Sequence, residues 1–275
     1  MIIRQSDIKT WARCPLAYAW QNVYGLPRLQ GGSATFGTII HDCTLWMETH
    51  RDANGIPDLR GAIDRFNYYW RTPSKLDITL VPDYYENGRS WVKFSEQGPV
   101  MLKNWWSIIQ WDSNLVLARE HTFDVPIGDG HMLHGTVDKL EVRYHAPANG
   151  YVVMISDYKT NAKVPTYGYL EEDIQFSAYG YASLQPEFWA NIPNGEQLFQ
   201  DYADLPRWGE WVSLVQPRRM DAGVRTQRHF NRLTMAINAL ADSVAMRIFV
   251  PNISGETCRY CEFREQCGLP EIVED

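Results

Sequence analysis

The apolar residues of this chain recur in two spacings, one helical and one alternating, which occupy different parts of the sequence. Helical spacing runs over residues 6–24, with a break predicted after Cys14 because Pro15 cannot continue the hydrogen bonding of a helix. It returns over residues 36–51 and 226–249. The last segment has one apolar stripe, typical of an amphipathic helix, formed by Leu233, Ile237, Leu240, Val244 and Ile248.

Alternating and β-branched residues fill the middle of the chain. Three strand-like runs, separated by Gly, Asp, Pro and Asn, extend over residues 115–125, 132–144 and 151–158. A helix over residues 171–184 and a short strand over residues 211–215 follow. This order of helices, strand cluster, helix, strand and helix predicts an α/β core with a helical insertion.

The length of 275 residues is enough for one large domain with a substantial core, and we expect a single domain. Its predicted parts are an N-terminal helix that carries a cysteine (1–35), a helical region (36–112), an α/β core (113–220) and a long helix with a cysteine tail (221–275). Within the helical region, the pattern favours helices near residues 60–70 and 91–112.

Composition narrows the class of protein. No apolar run is long enough to span a bilayer and the N-terminus lacks the apolar region of a signal peptide, so we expect a cytoplasmic protein. The net charge of −7 argues weakly against a nucleic-acid partner. Metal-binding carboxylates would raise the acidic count in the same way, and a bound cation would offset them locally. The net negative charge therefore does not exclude an acidic nuclease.

Four of the five cysteines lie at opposite ends of the chain. Cys14 is in the N-terminal helical stretch, and the C-terminus carries Cys258-x2-Cys261-x5-Cys267. In the cytoplasm thiols stay reduced, and clustered cysteines more often bind metal than form disulfides. Four thiolates suit either a structural zinc or an iron–sulfur cluster, while Cys43 lies in an apolar helical context and is expected in the core.

Two carboxylates and a lysine on the predicted strands suit metal-assisted chemistry. Asp157 and Lys159 are two residues apart on one strand, so their side chains are expected on the same face. Asp138 follows shortly after Gly135, whose missing side chain would let substrate or backbone approach. Carboxylate ligands favour Mg²⁺ or Mn²⁺, and such ions provide most of what phosphodiester hydrolysis requires.

These residues resemble a known nuclease family. Asp138, followed nineteen residues later by Asp157-x-Lys159, is similar to the PD-(D/E)xK nuclease core. Gly37-x-x-x-His41 upstream and Gln175-x-x-x-Tyr179 downstream resemble the flanking motifs of its RecB-like branch. With the four cysteines, the chain looks like the Fe–S exonucleases of the CRISPR-associated type, the AddB nuclease domain and the eukaryotic helicase-nucleases.

The resemblance implies a restriction-endonuclease-like α/β fold, a central mixed sheet flanked by helices, and a role for each matched residue. His41, Asp138 and Asp157 would bind Mg²⁺ or Mn²⁺ together with the backbone carbonyl of Tyr158, and Lys159 would be the catalytic lysine. Asp157 departs from the pattern, since glutamate is common at that position and aspartate is one methylene shorter.

Three further residues would support the site. Gln175 and Tyr179 would lie on one helix face and contact DNA or orient the active site, and Glu120 is a further acidic candidate. The resemblance also implies that a 4Fe–4S cluster joins the N- and C-terminal segments, held by Cys14, Cys258, Cys261 and Cys267. Zinc is the alternative metal that these four cysteines would bind.

The implied function is a DNA exonuclease that acts on single strands or ends in phage or prokaryotic recombination, repair or CRISPR adaptation. A helicase, recombinase or CRISPR integrase would be a partner in trans, an oligomer is compatible with the family, and the location would be a prokaryotic or phage-infected cytoplasm. Two alternatives remain: a catalytically weak DNA-binding adaptor that keeps the nuclease fold, and a zinc-stapled scaffold with no nucleic-acid role.

Overall fold

The computed structural model describes residues 1–26, 32–72, 89–109, 114–161, 164–259 and 261–267. Its strands are β1 (Ile2–Arg4), β2 (Leu115–Ile127), β3 (His131–His145), β4 (Gly150–Lys159), β5 (Arg207–Ser213) and β6 (Arg218–Val224). Its helices are α1 (Gln5–Arg13), α2 (Pro15–Asn22), α3 (Gly32–Thr49), α4 (Leu59–Arg71), α5 (Arg89–Ile109), α6 (Tyr167–Glu171), α7 (Ile174–Ala182), α8 (Pro186–Trp189), α9 (Gly195–Tyr202), α10 (Gln227–Met246) and α11 (Gly255–Arg259).

The six described strands form one mixed sheet in the order β1-β3-β4-β5-β6, with β2 paired to the long strand β3. The pairs β2–β3, β3–β4 and β5–β6 are antiparallel, whereas β1–β3 and β4–β5 are parallel. Helices α6 to α9 provide the crossover that the parallel β4–β5 pair requires. The α/β fold class expected from the sequence is confirmed.

Two hydrophobic cores cover the sheet. One contains residues of α1, α2, α7 and α10 with β2, β3 and β4, and the other contains residues of α3, α4 and α5 with the ends of β4 and β5. The second core is rich in aromatic rings, among them Phe36, Phe66, Trp70 and Trp105, each at most 2% exposed. Most of the aromatic residues described in this region therefore serve packing.

In the middle of strand β3, the alternation of buried and exposed side chains shifts. Leu133, Val137, Leu140 and Val142 all belong to the same core, so the in–out pattern shifts by one residue between Val137 and Leu140. The pairing of β3 with β4 also ends here, with Lys139 opposite Ser156 as its last pair. The two strands separate beyond that point and leave room for polar side chains.

Local sequence signals explain several helix boundaries. α1 ends at Arg13 and α2 begins at Pro15, so the predicted break after Cys14 is present. α7 begins after Asp173, whose carboxylate accepts a hydrogen bond from the Gln175 backbone N–H. The long amphipathic helix predicted over residues 226–249 is α10, which is preceded by Thr226.

Several element predictions differ from the structure. The helix expected over residues 171–184 is present as the shorter α7, with α6 before it, and the strand expected over residues 211–215 begins earlier, as β5. The pattern predicted neither β1 nor β6. The helix predicted over residues 91–112 corresponds to α5 as far as Ile109, and its last three residues lie outside the described residues. Within the described parts of the chain, no helix is long and apolar enough to cross a membrane.

Candidate active site

The acidic residues of the site lie where β3 and β4 separate. Continuing the register one step beyond the Lys139–Ser156 pair brings Asp138 and Asp157 opposite each other. The register of β2 and β3 likewise places Glu120 opposite Asp138, between the Arg119–Lys139 and His121–Val137 pairs. Three carboxylates from three neighbouring strands therefore converge at one position in the sheet.

His41 completes a group of candidate metal ligands with two of these carboxylates. Its Nδ1 lies 3.3 Å from an Asp138 oxygen and 3.4 Å from a Glu120 oxygen. One ligand atom from each of the three residues lies within 4.8 Å of the other two. Helix α3 supplies His41 to this group.

Glu120 reaches the group from a strained backbone position. Its φ is 42°, in the left-handed region that non-glycine residues rarely adopt, within a strand whose other residues are extended. The neighbours Arg119 and His121 keep their regular pairing with β3, so the distortion is confined to one residue. With the backbone in this conformation, the Glu120 carboxylate points toward His41.

Asp157 belongs to a second group, next to the first. Its Oδ2 lies 2.6 Å from the Lys159 ammonium, and its Oδ1 accepts a hydrogen bond of 2.7 Å from Gln175 Nε2. Gln175 Nε2 also donates to the Tyr179 hydroxyl at 3.0 Å, across one turn of α7. Gln175 Oε1 lies 3.5 Å from Lys159 Nζ and 3.3 Å from Lys9 Nζ.

Tyr158 connects the site to the helices behind it. Its backbone N–H donates to Asp138 Oδ2 at 2.6 Å, and its hydroxyl donates to Glu48 at 3.0 Å. Its ring lies beside Trp105, with the ring centroids 4.4 Å apart. Asp138 is thus held by the main chain of the strand that carries Asp157.

The concentration of negative charge shifts the pKa of several groups. Burial raises the pKa of Asp157, and Asp138 adds to this effect while Lys159 opposes it. Burial also raises the pKa of Glu120, against the hydrogen bond from His41. For His41 burial acts in the opposite sense, but the charges and hydrogen bonds of Asp138 and Glu120 outweigh it and raise the pKa well above its usual value.

Gly135 serves packing at this site. A Cβ built at this position would lie 2.7 Å from the Phe123 ring and 3.4 Å from Tyr179 Cε1. These two rings meet edge to face, with centroids 6.1 Å apart. The space that the sequence interpretation reserved for substrate or backbone is therefore occupied by aromatic side chains, and the glycine allows Tyr179 to approach β3.

The structure brings most of the predicted site residues together, but in two groups. The matched residues His41, Asp138, Asp157, Lys159, Gln175 and Tyr179 all lie at this position, joined by Glu120. Asp157 lies outside the group of three potential ligands, and Tyr158 contacts Asp138 through its N–H. The proposed ligand roles of Asp157 and of the Tyr158 carbonyl stay predictions.

Two residues that the sequence interpretation missed also contact the site. Lys9 Nζ lies 2.9 Å from Asp173, in addition to its contact with Gln175. The position of Asp173 before an apolar segment was a recognisable helix-start signal. Lys9 had no such signal, because its partners lie more than 160 residues away in the chain.

The N- and C-terminal cysteines meet where α1 ends. Cys14, Cys258, Cys261 and Cys267 all line one cavity. The backbone N–H of Asn252 donates to Cys14 Sγ at 3.4 Å, and its carbonyl accepts from Cys258 Sγ at 3.5 Å. No three sulfur atoms of the described cysteines lie within 4.8 Å of one another. Cys43 is fully buried in the aromatic core, as expected.

Comparison with known proteins assigns the chain to a family. The chain is similar to a solved structure described as the crystal structure of SSO0001, with 98% of this chain and 86% of that chain covered at 11% identity; the TM-score is 0.39, too low to carry an argument. No curated protein matches the sequence. The family model of the PD-(D/E)XK nuclease superfamily matches residues 4–268. Because this match spans nearly the whole chain, the protein belongs to the PD-(D/E)XK nuclease superfamily.

Proposed function

We propose that the protein is a divalent-metal-dependent DNA exonuclease that acts on single strands or strand ends. The observation that carries this proposal is the meeting of Glu120, Asp138 and Asp157 with one lysine, Lys159, where β3 and β4 separate. Such an excess of buried negative charge is costly unless a cation joins it.

The recessed position of the carboxylates supports a single-stranded substrate. Asp138 is 8% exposed and Asp157 is 3% exposed, so a scissile phosphate has to enter a recess to reach them. A flexible single strand or a frayed end reaches such a recess more easily than a stiff duplex does. The resemblance of the flanking motifs to RecB-like nucleases supports the same substrate class.

A divalent cation fits the donor set of His41, Glu120 and Asp138. Carboxylate oxygens suit Mg²⁺ and Mn²⁺, and one imidazole is compatible with Mn²⁺. When bound, such a cation polarises the phosphate and lowers the pKa of an attacking water. Asp157 and the backbone carbonyl of Tyr158 are proposed as further ligands, and the hydrogen bond from Gln175 fixes the orientation of Asp157.

Lys159 is proposed to stabilise negative charge that develops on the phosphate. Burial opposes its ammonium form, but the charge and hydrogen bond of Asp157 outweigh burial and raise the pKa of Lys159 above its usual value. The side chain is therefore a cation at neutral pH. This favours electrostatic stabilisation of the transition state over a role as general base.

The test is cleavage of 5′- and 3′-labelled single- and double-stranded DNA in Mn²⁺ by Asp138→Ala and Lys159→Ala. Both variants should lose activity while keeping their fold. Asp124→Ala is the matched control, because Asp124 lies on β2 with a 55% exposed side chain and pairs only with His134 among its described contacts. Undiminished degradation by both site variants would refute the proposal, and retained DNA binding without any cleavage would point to the adaptor function instead.

We also propose that the four cysteines hold a 4Fe–4S cluster that joins the two ends of the fold. The supporting observation is that thiols from α1–α2 and from the C-terminal segment line one cavity. Four thiolates suit either zinc or an iron–sulfur cluster, and the family resemblance is what favours the cluster.

Anaerobic purification tests the cluster. The native protein should be brown with bound iron and sulfide, and Cys258→Ala should lose the visible absorbance and lower the melting temperature. Cys43→Ala is the control for loss of a thiol outside the cavity, and it should keep the colour. A colourless protein that contains zinc would contradict the proposal.

A further inference from the structure

A cleft opens beside Lys159 and extends away from the carboxylates. It lies between α1, the end of β4 and α6, and it has a volume of about 530 Å³, within the usual range of ligand sites. Lys159 and Gln175 line both this cleft and the candidate active site. A strand whose phosphate lies at the carboxylates would therefore place a neighbouring nucleotide at or near this cleft.

The walls of the cleft provide an aromatic ring for contact with a base. Tyr169 on α6 lines the cleft and is 58% exposed. Trp211 also lines it but is only 4% exposed, because its ring packs against Leu170 and Phe176. Tyr169 is thus the ring available to a ligand, and Trp211 forms part of the rigid base beneath it.

The charge of the cleft suits a phosphate-bearing ligand. Lys9 lies at its rim with a side chain that is 37% exposed, and Lys159 lies at its inner end. Asp173 is the acidic residue among the lining side chains, and it is compensated by Lys9 and by the backbone N–H of Gln175. Thr166 adds a hydroxyl to the lining.

We propose that this cleft binds one unpaired nucleotide of the cleaved strand, with its base stacked on Tyr169 and its phosphate close to Lys9. The proposal rests on the proposed nuclease function, since the active site fixes where the strand passes. Stacking on Tyr169 requires a base with an open face, which a nucleotide inside a duplex does not offer. The cleft would therefore favour a single strand at the position next to the scissile phosphate.

The test compares two tyrosines of the same short helix. Tyr167 and Tyr169 are 55% and 58% exposed, but only Tyr169 is among the residues that line the cleft. In an Asp138→Asn background, Tyr169→Ala should weaken binding of fluorescent dT12 roughly tenfold, the scale of one base–aromatic stack. Tyr167→Ala should leave binding within twofold, and Tyr169→Phe should restore it because stacking needs only the ring.

An abasic nucleotide scanned along the oligonucleotide locates the contact. At one position it should weaken binding to the parent protein about as much as Tyr169→Ala does, and it should have no further effect on that variant. Equal affinities of the Tyr169→Ala and Tyr167→Ala proteins would overturn the nucleotide site. So would additive effects of Tyr169→Ala and of the abasic substitution at every position.

Cleavage by the protein with native Asp138 separates this proposal from the nuclease function. If Tyr169→Ala changes neither cleavage nor binding, the nuclease function is retained and the proposed nucleotide site is refuted. If the native protein does not cleave DNA in Mg²⁺ or Mn²⁺ but Tyr169→Ala specifically weakens binding, the nuclease function is refuted and the nucleotide-binding cleft is retained. Where both hold, Tyr169→Ala should raise KM for single strands with little change in kcat.

Discussion

Two clusters of buried charge share strand β3, and they differ in the balance of their signs. The acidic site contains three carboxylates, from Glu120, Asp138 and Asp157, against Lys159 and the titratable His41. The second cluster, here called the ion-pair network, contains three carboxylates and four basic groups. Its members are Glu48, Arg119, Lys139, Glu141, Arg143, Glu210 and Arg219.

Each carboxylate of the network pairs directly with a basic group of the network. Glu48 lies 2.8 Å from Arg119, Glu141 lies 2.7 Å from Lys139, and Glu210 pairs with Arg143. The acidic site has too few cations for its carboxylates. Buried charge is common to both clusters, whereas an excess of negative charge is found only in the acidic site, and we therefore expect a cation to bind there.

The largest expected effect comes from removing one charge of the acidic site. Asp138→Asn should lower DNA cleavage by roughly 100-fold or more, because it removes a candidate metal ligand. The same change relieves repulsion with Glu120 and Asp157, so the melting temperature should stay equal or rise. Steady-state cleavage and thermal unfolding of one preparation test both parts, and a strongly destabilised variant would contradict the comparison.

The corresponding change in the network should act on stability. Glu141 is fully buried, and Glu141→Gln leaves Lys139 and Arg143 without a charged partner that they now share. We expect a loss of about 3 kcal/mol in the free energy of unfolding, with cleavage per folded molecule largely unchanged.

Denaturant unfolding measures this loss, with Glu172→Gln as the control. Glu172 pairs with Arg228 and Arg232 at the surface, and each such pair contributes at most about 1 kcal/mol. A cost of Glu141→Gln no larger than that of the control would show that the network does not stabilise the fold.

Metal binding should also distinguish the two clusters, through a change in melting temperature that is smaller than the effects above. Saturating Mn²⁺ should raise the melting temperature of the native protein by roughly 5 °C through mass action. Glu120→Gln should lose more than half of this increase, whereas Glu141→Gln should keep it on its lower baseline. Thermal scans with EDTA and with Mn²⁺ provide the measurement, and an equal increase in both variants would place the metal elsewhere.

The smallest expected effect is the pH dependence of that increase. In the metal-free protein burial opposes the charged imidazole, but Asp138 and Glu120 raise the pKa of His41, so a proton occupies the site at neutral pH. A metal ion has to displace this proton, and Mn²⁺ should stabilise the protein more at pH 8 than at pH 6. A constant increase across this range would contradict the displacement of a proton from His41.

Local spacing explains which parts of the site were predictable from the sequence. Asp157 and Lys159 are two residues apart on one strand, and Gln175 and Tyr179 are four apart on one helix, so each pair was expected on a common face and is found in contact. The amphipathic stripe of α10 was predictable for the same reason. Period and spacing are properties of single elements, which the sequence expresses directly.

Contacts between distant elements were not predictable in the same way. Glu48 and Tyr158 are 110 residues apart, and neither has a local motif that indicates the hydrogen bond between them. β6 was missed because its charged residues Arg218, Arg219 and Asp221 interrupt the apolar pattern that is typical of a strand. In the fold Arg219 pairs with Glu210 of the network, so its charge is accommodated by partners that the local pattern does not show.

The backbone of Glu120 has a consequence for protein engineering. Replacing left-handed non-glycine residues with glycine is a common way to relieve backbone strain and gain stability. Applied here, the substitution would soften one residue of β2 and delete a carboxylate of the candidate metal site in the same step. A stability screen without an activity assay would select that variant, so thermostabilised versions of this protein should retain Glu120.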